Sequence, residues 1–346
     1  MLRTFTCSLS LLLLLNTGPN AFAALVIHDA RFVSEQRISN PRTYPLAIDS
    51  DGSIYSVTGT AVSDDFIRVS TDNTVTTLNN SVGRVFGVIS DIEFGFGGDL
   101  FANYAQLPNN DSGTHGIARL DKSTGAISTF YSGPSFNADG GLAFNATSSV
   151  LYMHSQLAGS SLLAFDSLGN ATTVVAGLGE GRGLAIEDAG TLITIGETEI
   201  RRVDPTVASV STVRDIAADL PGYKLRSVDV LSTGEIVFTA QNDSTLSRSL
   251  FSISSFGGPL NLIATDAVGG PHQIKFGVSR DGLGESLYLN NPDTLALYEL
   301  RLTAVPEPSS LAILSTGVVI LIMRRRKARN KAIPRERRKT CSLKPV

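Results

Sequence analysis

Tryptophan is absent from this 346-residue chain, and cysteine occurs only at Cys7 and Cys341. Both cysteines lie in the terminal segments, so the body offers no disulfide, no cysteine-ligated metal and no cysteine nucleophile. Only four histidines occur (His28, His115, His154 and His272), with neither HxH nor HExxH spacing, so zinc chemistry has no sequence support. Basic residues are scarce in the body: between Leu25 and Thr303 there are 17 Lys/Arg against 30 Asp/Glu, a net charge of −13. Such a body repels phosphate backbones, which argues against nucleic acid as a partner. What is plentiful is apolar and turn-forming, with 42% hydrophobic residues, 32 Gly and 14 Pro, a composition neither disordered nor collagen-like.

The two ends read as addresses. Residues 1–23 have the order of a secretory signal peptide: Arg3 supplies the charged start, Leu9–Leu15 the apolar core, and Ala21-Phe22-Ala23 a small-x-small cleavage site. The apolar run is too short to span a bilayer, which takes roughly 17–25 residues. At the other end, Val305-Pro306-Glu307-Pro308 leads into an apolar stretch ending at Met323, and Arg324, Arg325, Arg326 and Lys327 follow at once. A stiff Pro-flanked hinge, an apolar helix and a basic stop describe a single transmembrane helix with its positive flank on the cytoplasmic side. Fifteen residues from Ser309 to Met323 make a helix of about 22 Å, short for a hydrocarbon core of about 30 Å unless the arginines snorkel. From Arg324 to Val346 the chain has 11 Lys/Arg and one acid, Glu336, and residues 328–346 are expected to form a basic cytoplasmic tail.

This order of parts resembles the PEP-CTERM sorting signal of Gram-negative bacteria. The resemblance implies that an exosortase-type sorting peptidase reads the Pro-Glu-Pro motif and removes the tail. It also implies an inner-membrane anchor before processing, a cell-envelope or extracellular-matrix destination afterwards, and an association with exopolysaccharide. Such signals usually end soon after the basic cluster, whereas this chain continues for 19 residues.

Between the ends the body repeats itself. An apolar triplet, a turn and a second apolar pair recur, beginning at Leu46, Ile92, Leu142, Leu184, Val228 and Ile274, spacings of 42 to 50 residues. A third element follows each, such as Phe66-Ile67-Arg68-Val69, and a β-branched fourth follows five of them, such as Thr172-Thr173-Val174-Val175. Four short strands per repeat of roughly 45 residues predict an all-β, six-bladed β-propeller with four-stranded blades over residues 24–303. A tandem of β-sandwiches is the other fold that fits. The first strand of each repeat should lie nearest the axis, where Ala47, Ala143 and Ala185 suit the tight space. Because the sixth repeat lacks its fourth strand, the segment 25–39 is expected to supply it by pairing with 295–302, closing the ring and removing two exposed edges.

Chemistry is harder to locate. Asp49-Ser50-Asp51-Gly52 resembles the start of a calcium loop but lacks the acid at position 12, and the Gly179–Gly183 run lacks the Lys-Ser/Thr of a phosphate loop. No Gly-x-Ser-x-Gly elbow precedes a helix, so no catalytic residue is assigned. Propeller ligands usually sit at one mouth of the axial channel. The residues entering the first strands there (Tyr44, Asp91, Asp139, Arg182, Arg226 and His272) are candidates, with Asp91, Asp139, Arg182, Arg226 and His272 forming a mixed-charge set. The second-to-third loops add Tyr104, His115, His154, Glu197 and Asn242.

Three functions fit. The first is a non-enzymatic exported propeller that binds an extracellular polysaccharide or a protein partner, without a cofactor. The second is a hydrolase resembling the calcium-dependent lactonase propellers, in which Asp139, Asn242 and Glu197 would have to converge on an axial calcium. The third is a scaffold that presents loops. Intact-mass measurement of the protein recovered from the host envelope is expected to show loss of residues 1–23 and a C-terminus near Pro306–Ser309. A mass that includes Arg324 onward would make the tail a permanent anchor instead.

Overall fold

A computed structural model describes residues 25–39, 43–60, 63–80, 88–105, 115–133, 140–155, 160–187, 190–265, 272–291 and 296–303. The expected signal peptide, transmembrane helix and basic tail lie outside these residues. Among the described residues no helix is long and apolar enough to cross a membrane.

After β1 (Val26–Ile27) and β2 (Phe32–Ser39) the chain builds its blades in sequence order. The first comprises β3 (Thr43–Ile48), β4 (Ile54–Thr60), β5 (Ser63–Val69) and β6 (Val75–Asn80). The second comprises β7 (Val88–Phe94), β8 (Leu100–Ala105), β9 (His115–Leu120) and β10 (Ile127–Gly133). The third comprises β11 (Gly141–Asn145), β12 (Val150–His154), β13 (Leu162–Phe165) and β14 (Ala171–Val175). In the fourth are β15 (Gly183–Ile186), β16 (Leu192–Ile195), β17 (Glu199–Asp204) and β18 (Ser209–Asp215). The fifth holds β19 (Tyr223–Val230), β20 (Ile236–Asn242), β21 (Arg248–Ile253) and β22 (Asn261–Thr265). Three strands, β23 (Ile274–Val278), β24 (Glu285–Asn291) and β25 (Ala296–Leu302), begin the sixth. Each blade is one antiparallel meander, and the first strands of successive blades adjoin around the ring, with β23 meeting β3. The body is therefore an all-β, six-bladed propeller.

Local chemistry explains the blades. Alternate side chains point to opposite faces, and because each blade has a neighbour on both sides, inner strands such as Leu192–Ile195 and Ile236–Asn242 are buried throughout, with only Asn242 partly exposed. Ala47 packs in a cluster with Ile92 and Tyr104 of the second blade, Ala143 with Leu184 of the fourth, and Ala185 with Val228 of the fifth. The inner strands approach so closely that a Cβ on Gly141 would lie 2.3 Å from the Leu184 nitrogen. Between first and second strands the turn holds Gly52 at φ +77°, and the third blade makes it with Ser149 at +51°.

The N-terminal segment closes the ring, as its pairing potential predicts. β2 runs antiparallel to β25 from Phe32 opposite Leu302 to Ser39 opposite Ala296, giving the sixth blade its fourth strand. One detail differs from the sequence reading. Val26 and Ile27 pair instead with Thr265 and Ala264, as a fifth strand on the fifth blade. A turn at Asp29 separates the two pairings, with its carbonyl accepting from the Phe32 N–H at 3.1 Å. Arg31 pins that turn, reaching Asp29 at 2.6 Å and Glu235 of the fifth blade at 2.7 Å. Leu25 and Phe32 are buried in a cluster with Leu250 and Ile263 of the fifth blade and Leu287 and Tyr298 of the sixth, so the segment locks that seam.

Phe32→Ala is expected to lower stability by about 3–5 kcal/mol, the usual cost of emptying a buried aromatic site. Urea unfolding followed by circular dichroism measures it; a loss under about 1 kcal/mol would show that the seam holds without this strand.

Candidate ligand site at the channel mouth

Where three blades carry Ala47, Ala143 and Ala185 at the middle of the innermost strand, the other three carry Glu93, Asp229 and Lys275. A charge kept at such a position has to be answered by partners. Lys275 Nζ on β23 donates to Glu93 Oε2 on β7, two blades away, with the two side chains 18% and 17% exposed. Asp229 Oδ1 accepts from the N–H of Val230 at 2.8 Å, and its Oδ2 accepts from the N–H of Phe276 in the next blade at 2.7 Å. Asp91 does the same one blade pair away: Oδ1 accepts from Ile92 N–H at 3.0 Å and Oδ2 from Leu142 N–H at 2.7 Å.

The charges tune one another. Burial pushes the Asp91 carboxyl up to about 7 against the pull of Lys275, and burial likewise raises Glu93 and Asp229. Burial works against the Lys275 ammonium too, but Glu93, Asp229 and Asp91 outweigh it and keep the group charged beyond its ordinary range.

Beside this layer lies a cavity of about 200 Å³, lined by residues on or just before the inner strands of the second to sixth blades. Asp91, Arg182, Arg226 and His272 all line it, so the structure brings together four of the five residues of the mixed-charge set. Asp139 falls outside the described residues; its neighbour Gly140 lines the cavity. Two of the lining residues owe their aim to β-bulges. Arg226 is the extra residue where β19 slips against β20, between Leu225 opposite Ala240 and Ser227 opposite Thr239. Ser90 is the extra residue of β7, between Ile89 opposite Tyr104 and Asp91 opposite Asn103. A bulge re-aims a side chain out of the regular ladder.

Polar contacts between blades hold the wall in place. Gln273 Nε2 donates to the Ser90 carbonyl at 2.7 Å, joining the sixth blade to the second. Thr239 Oγ1 donates to the His272 carbonyl at 2.9 Å, and Asn103 Nδ2 donates to the Gly140 carbonyl at 2.7 Å. Burial, with Arg248 and Arg226 nearby, pushes His272 down to about 3, so it is neutral at physiological pH.

The loop candidates have other roles. Tyr104 is buried in the seam between the first two blades. His154 is fully buried and, because a carbonyl can only accept, its Nε2–H donates to Gly179 O at 2.9 Å while Nδ1 accepts from the Thr194 hydroxyl at 2.6 Å. Burial pushes it down to about 4, a neutral clip between the third and fourth blades. Glu197 pairs with Lys224 at 2.6 Å, and Asn242 Oδ1 caps the N–H groups of Ser244 and Thr245 at 2.9 and 3.0 Å. The side chains of Tyr44 and His115 lie outside the described residues. Among the lining residues that the sequence reading missed are Lys275, Gln273, Ser90 and Ser227. The signal for Lys275 was available, as the lone cation at a triplet centre.

Calcium takes six to eight oxygen ligands. Of the set required for an axial calcium, Glu197 and Asn242 are engaged in a surface ion pair and a turn, and the axial acids face Lys275. Among the described residues no group of three or more His, Cys, Asp or Glu could hold a metal ion. Asp139, the third member of that set, lies outside the described residues.

Residues 304–327 match the PEP-CTERM protein-sorting motif. The chain thus carries a PEP-CTERM sorting motif after its propeller, which implies export, a C-terminal membrane anchor and processing by an exosortase. By fold the chain is similar to the calcium-binding protein regucalcin from Agrobacterium tumefaciens, with 13% identity, a TM-score of 0.57, and coverage of 78% of this chain and 94% of that one. It is also similar to the PQQ-bound aldose sugar dehydrogenase from Streptomyces coelicolor, with 12% identity, a TM-score of 0.56, and coverage of 82% and 100%. A third likeness is to a protein provisionally described as a gluconolactonase, with 11% identity, a TM-score of 0.56, and coverage of 80% and 93%. At these identities the likeness is one of fold. No curated protein matches the chain by sequence.

Replacing Lys275 with Met leaves three carboxyl groups without their cation and is expected to cost about 3–5 kcal/mol at pH 8. The sign of the pH dependence follows from the raised carboxyl pKa values. The folded protein keeps a proton on Asp91 up to about pH 7 that the unfolded chain releases near pH 4, so stability falls as pH rises through that window. Without Lys275 the carboxyl groups hold protons more tightly still, and the deficit should shrink at pH 5. Urea unfolding of both proteins at the two pH values checks this; a pH-independent deficit counts against the charge cluster.

Proposed function

We propose that the chain is an exported, envelope-sorted propeller that binds a ligand, without chemical turnover, at the mouth of its axial channel. The ligand class is an extracellular polysaccharide or a protein partner. On this reading residues 1–23 direct export, residues 24–303 form the binding body, and residues 304–327 hold it in the inner membrane until an exosortase acts at Val305–Pro308. The 328–346 tail stays cytoplasmic, behind the stop formed by Arg324–Lys327. The body then passes to the cell envelope or extracellular matrix.

One observation carries the binding reading. The cavity is lined by Arg182 and Arg226, while the carboxyl group beside them, Asp91, has both oxygens engaged by backbone N–H groups. A site rich in fixed donors with its acid tied down suits recognition better than proton transfer, which needs a base free to reach its substrate. The sorting motif adds direction, since its family resemblance points to exopolysaccharide.

Incubating the purified protein with extracellular polysaccharide from the host is expected to give saturable binding with the polymer recovered unchanged in length. Assays of lactone hydrolysis with and without calcium form the second arm. Calcium-dependent turnover would replace the binding reading with a lactonase-like hydrolase.

A further inference from the structure

We infer that the end of the propeller away from the channel mouth docks on the non-cytoplasmic surface of the membrane that anchors the chain, through apolar turn tips on the third to sixth blades. In an antiparallel meander the turns between first and second strands, and between third and fourth, fall at one end of the blade. The loops between second and third strands fall at the other end, with the residues that line the cavity. Four large apolar side chains project from the first set of turns. Leu168, Val207 and Phe256, which are 83%, 67% and 93% exposed, lie between third and fourth strands, and Leu283, 89% exposed, lies between a first and a second.

Turns ordinarily give such places to polar residues or glycine. Leu168 and Phe256 hold the same third place in their turns, one closed by Gly169 N–H to Asp166 O at 3.1 Å and the other by Gly257 N–H to Ser254 O at 2.9 Å. In the first blade the matching turn closes from Asn73 N–H to Ser70 O, and its third place is Asp72. The second blade's turn, from Asp121 to Gly125, carries Ser123 and Thr124. The apolar tips are thus confined to four consecutive blades. Exposed apolar residues scattered singly are ordinary, whereas several gathered at one end mark an interaction surface. Each tip stands on its own turn, so the set suits a broad, fluid surface that each can enter separately, rather than a partner that needs one continuous patch.

The chain itself brings a bilayer to this end. β25, the third strand of the sixth blade, runs toward the same end and finishes at Leu302, and the sorting motif starts at residue 304. Residues 303–308 separate that strand from the apolar stretch at Ser309, and six residues reach at most about 20 Å. A tether this short keeps the tips at high effective concentration near the lipid, so each needs little affinity of its own. Charge does not drive the contact. Hydrogen bonds from Asn170 and Thr206 hold Asp166 and Asp204 below the ordinary carboxylate range, so both stay ionised beside the tips, while Asp281 pairs with Arg301 at 2.9 Å. The surface that fits is therefore zwitterionic lipid, entered by apolar side chains.

The chain has no tryptophan, so a single introduced one reports on its own position. The test reconstitutes full-length Phe256→Trp, Leu168→Trp and, at the mouth end, Leu246→Trp into phosphatidylcholine vesicles brominated on the acyl chains. All three native side chains are exposed, Leu246 by 61%, so the substitutions spare the core. Emission from positions 256 and 168 is expected to shift to the blue and to be quenched, most strongly by bromines high on the chains, since interfacial insertion reaches ~5–10 Å. Emission from position 246 should stay water-like and unquenched. Equal quenching at all three positions, or none at 256 and 168, overturns the inference. A blue shift at 256 and 168 without quenching also overturns it, and assigns the tips to a protein contact instead. Adding phosphatidylglycerol should weaken the quenching at 168, beside Asp166; quenching that grows with anionic lipid overturns the apolar account.

Discussion

Closing the ring is the constraint on which the rest of the structure depends. Six sheets arranged around an axis bury their faces only if the last is held against the first, and the sixth meander ends one strand short. Its missing strand comes from the start of the chain, so β2 on β25 joins residues separated by almost the whole body. The pairing gives backbone hydrogen bonds, and Phe32 adds apolar burial at the seam. Arg31, bridging Asp29 and Glu235, sets the angle at which the chain passes from the fifth blade to the sixth. All later geometry, including the spacing of the inner strands, presupposes this closure.

The axis is where closure meets electrostatics. Alanine solves the crowding in three blades. Glu93, Asp229 and Lys275 solve it in the others by reaching partners across the ring or in the next blade. Asp91 and Asp229 both grip a backbone N–H of the following inner strand, and so stitch the second blade to the third and the fifth to the sixth. Breaking a buried pair is costly, while its net contribution to stability against an apolar alternative is small. The cluster therefore reads best as a device for registering the blades, with the charge pattern of the mouth as its by-product.

Much of this was legible in the sequence. Repeat spacing and alternation located the blades, because strand length and turn chemistry are local properties. The missing fourth strand and the spare N-terminal segment together predicted the closure. What local pattern could not resolve was the division of that segment: Val26 and Ile27 look like part of one closing strand, and only the turn at Asp29 sends them to the fifth blade. His154 shows the same limit. Its position before a loop suggested the mouth, yet it is buried, because burial at a strand end depends on the neighbouring blade rather than on the residue's own repeat. Lys275 was legible in principle, since superposing the six triplets leaves one cation and two acids at centres otherwise filled by alanine.

The nature of that cation bears on what the mouth can do. A metal on the axis would present open coordination positions and come and go with its concentration in the medium. The Lys275 ammonium is covalently part of the chain, is held charged by its acidic neighbours, and donates to Glu93. It thus neutralises acids that would otherwise repel an anion from the cavity, without offering the Lewis acidity that activates water. Arg182, Arg226 and Gln273 line the cavity beside it; the bulge of β19 aims Arg226, and a bond across the channel to Ser90 holds Gln273. Because that ammonium is part of the chain, the charge it supplies to the axis does not vary with the ions in the medium.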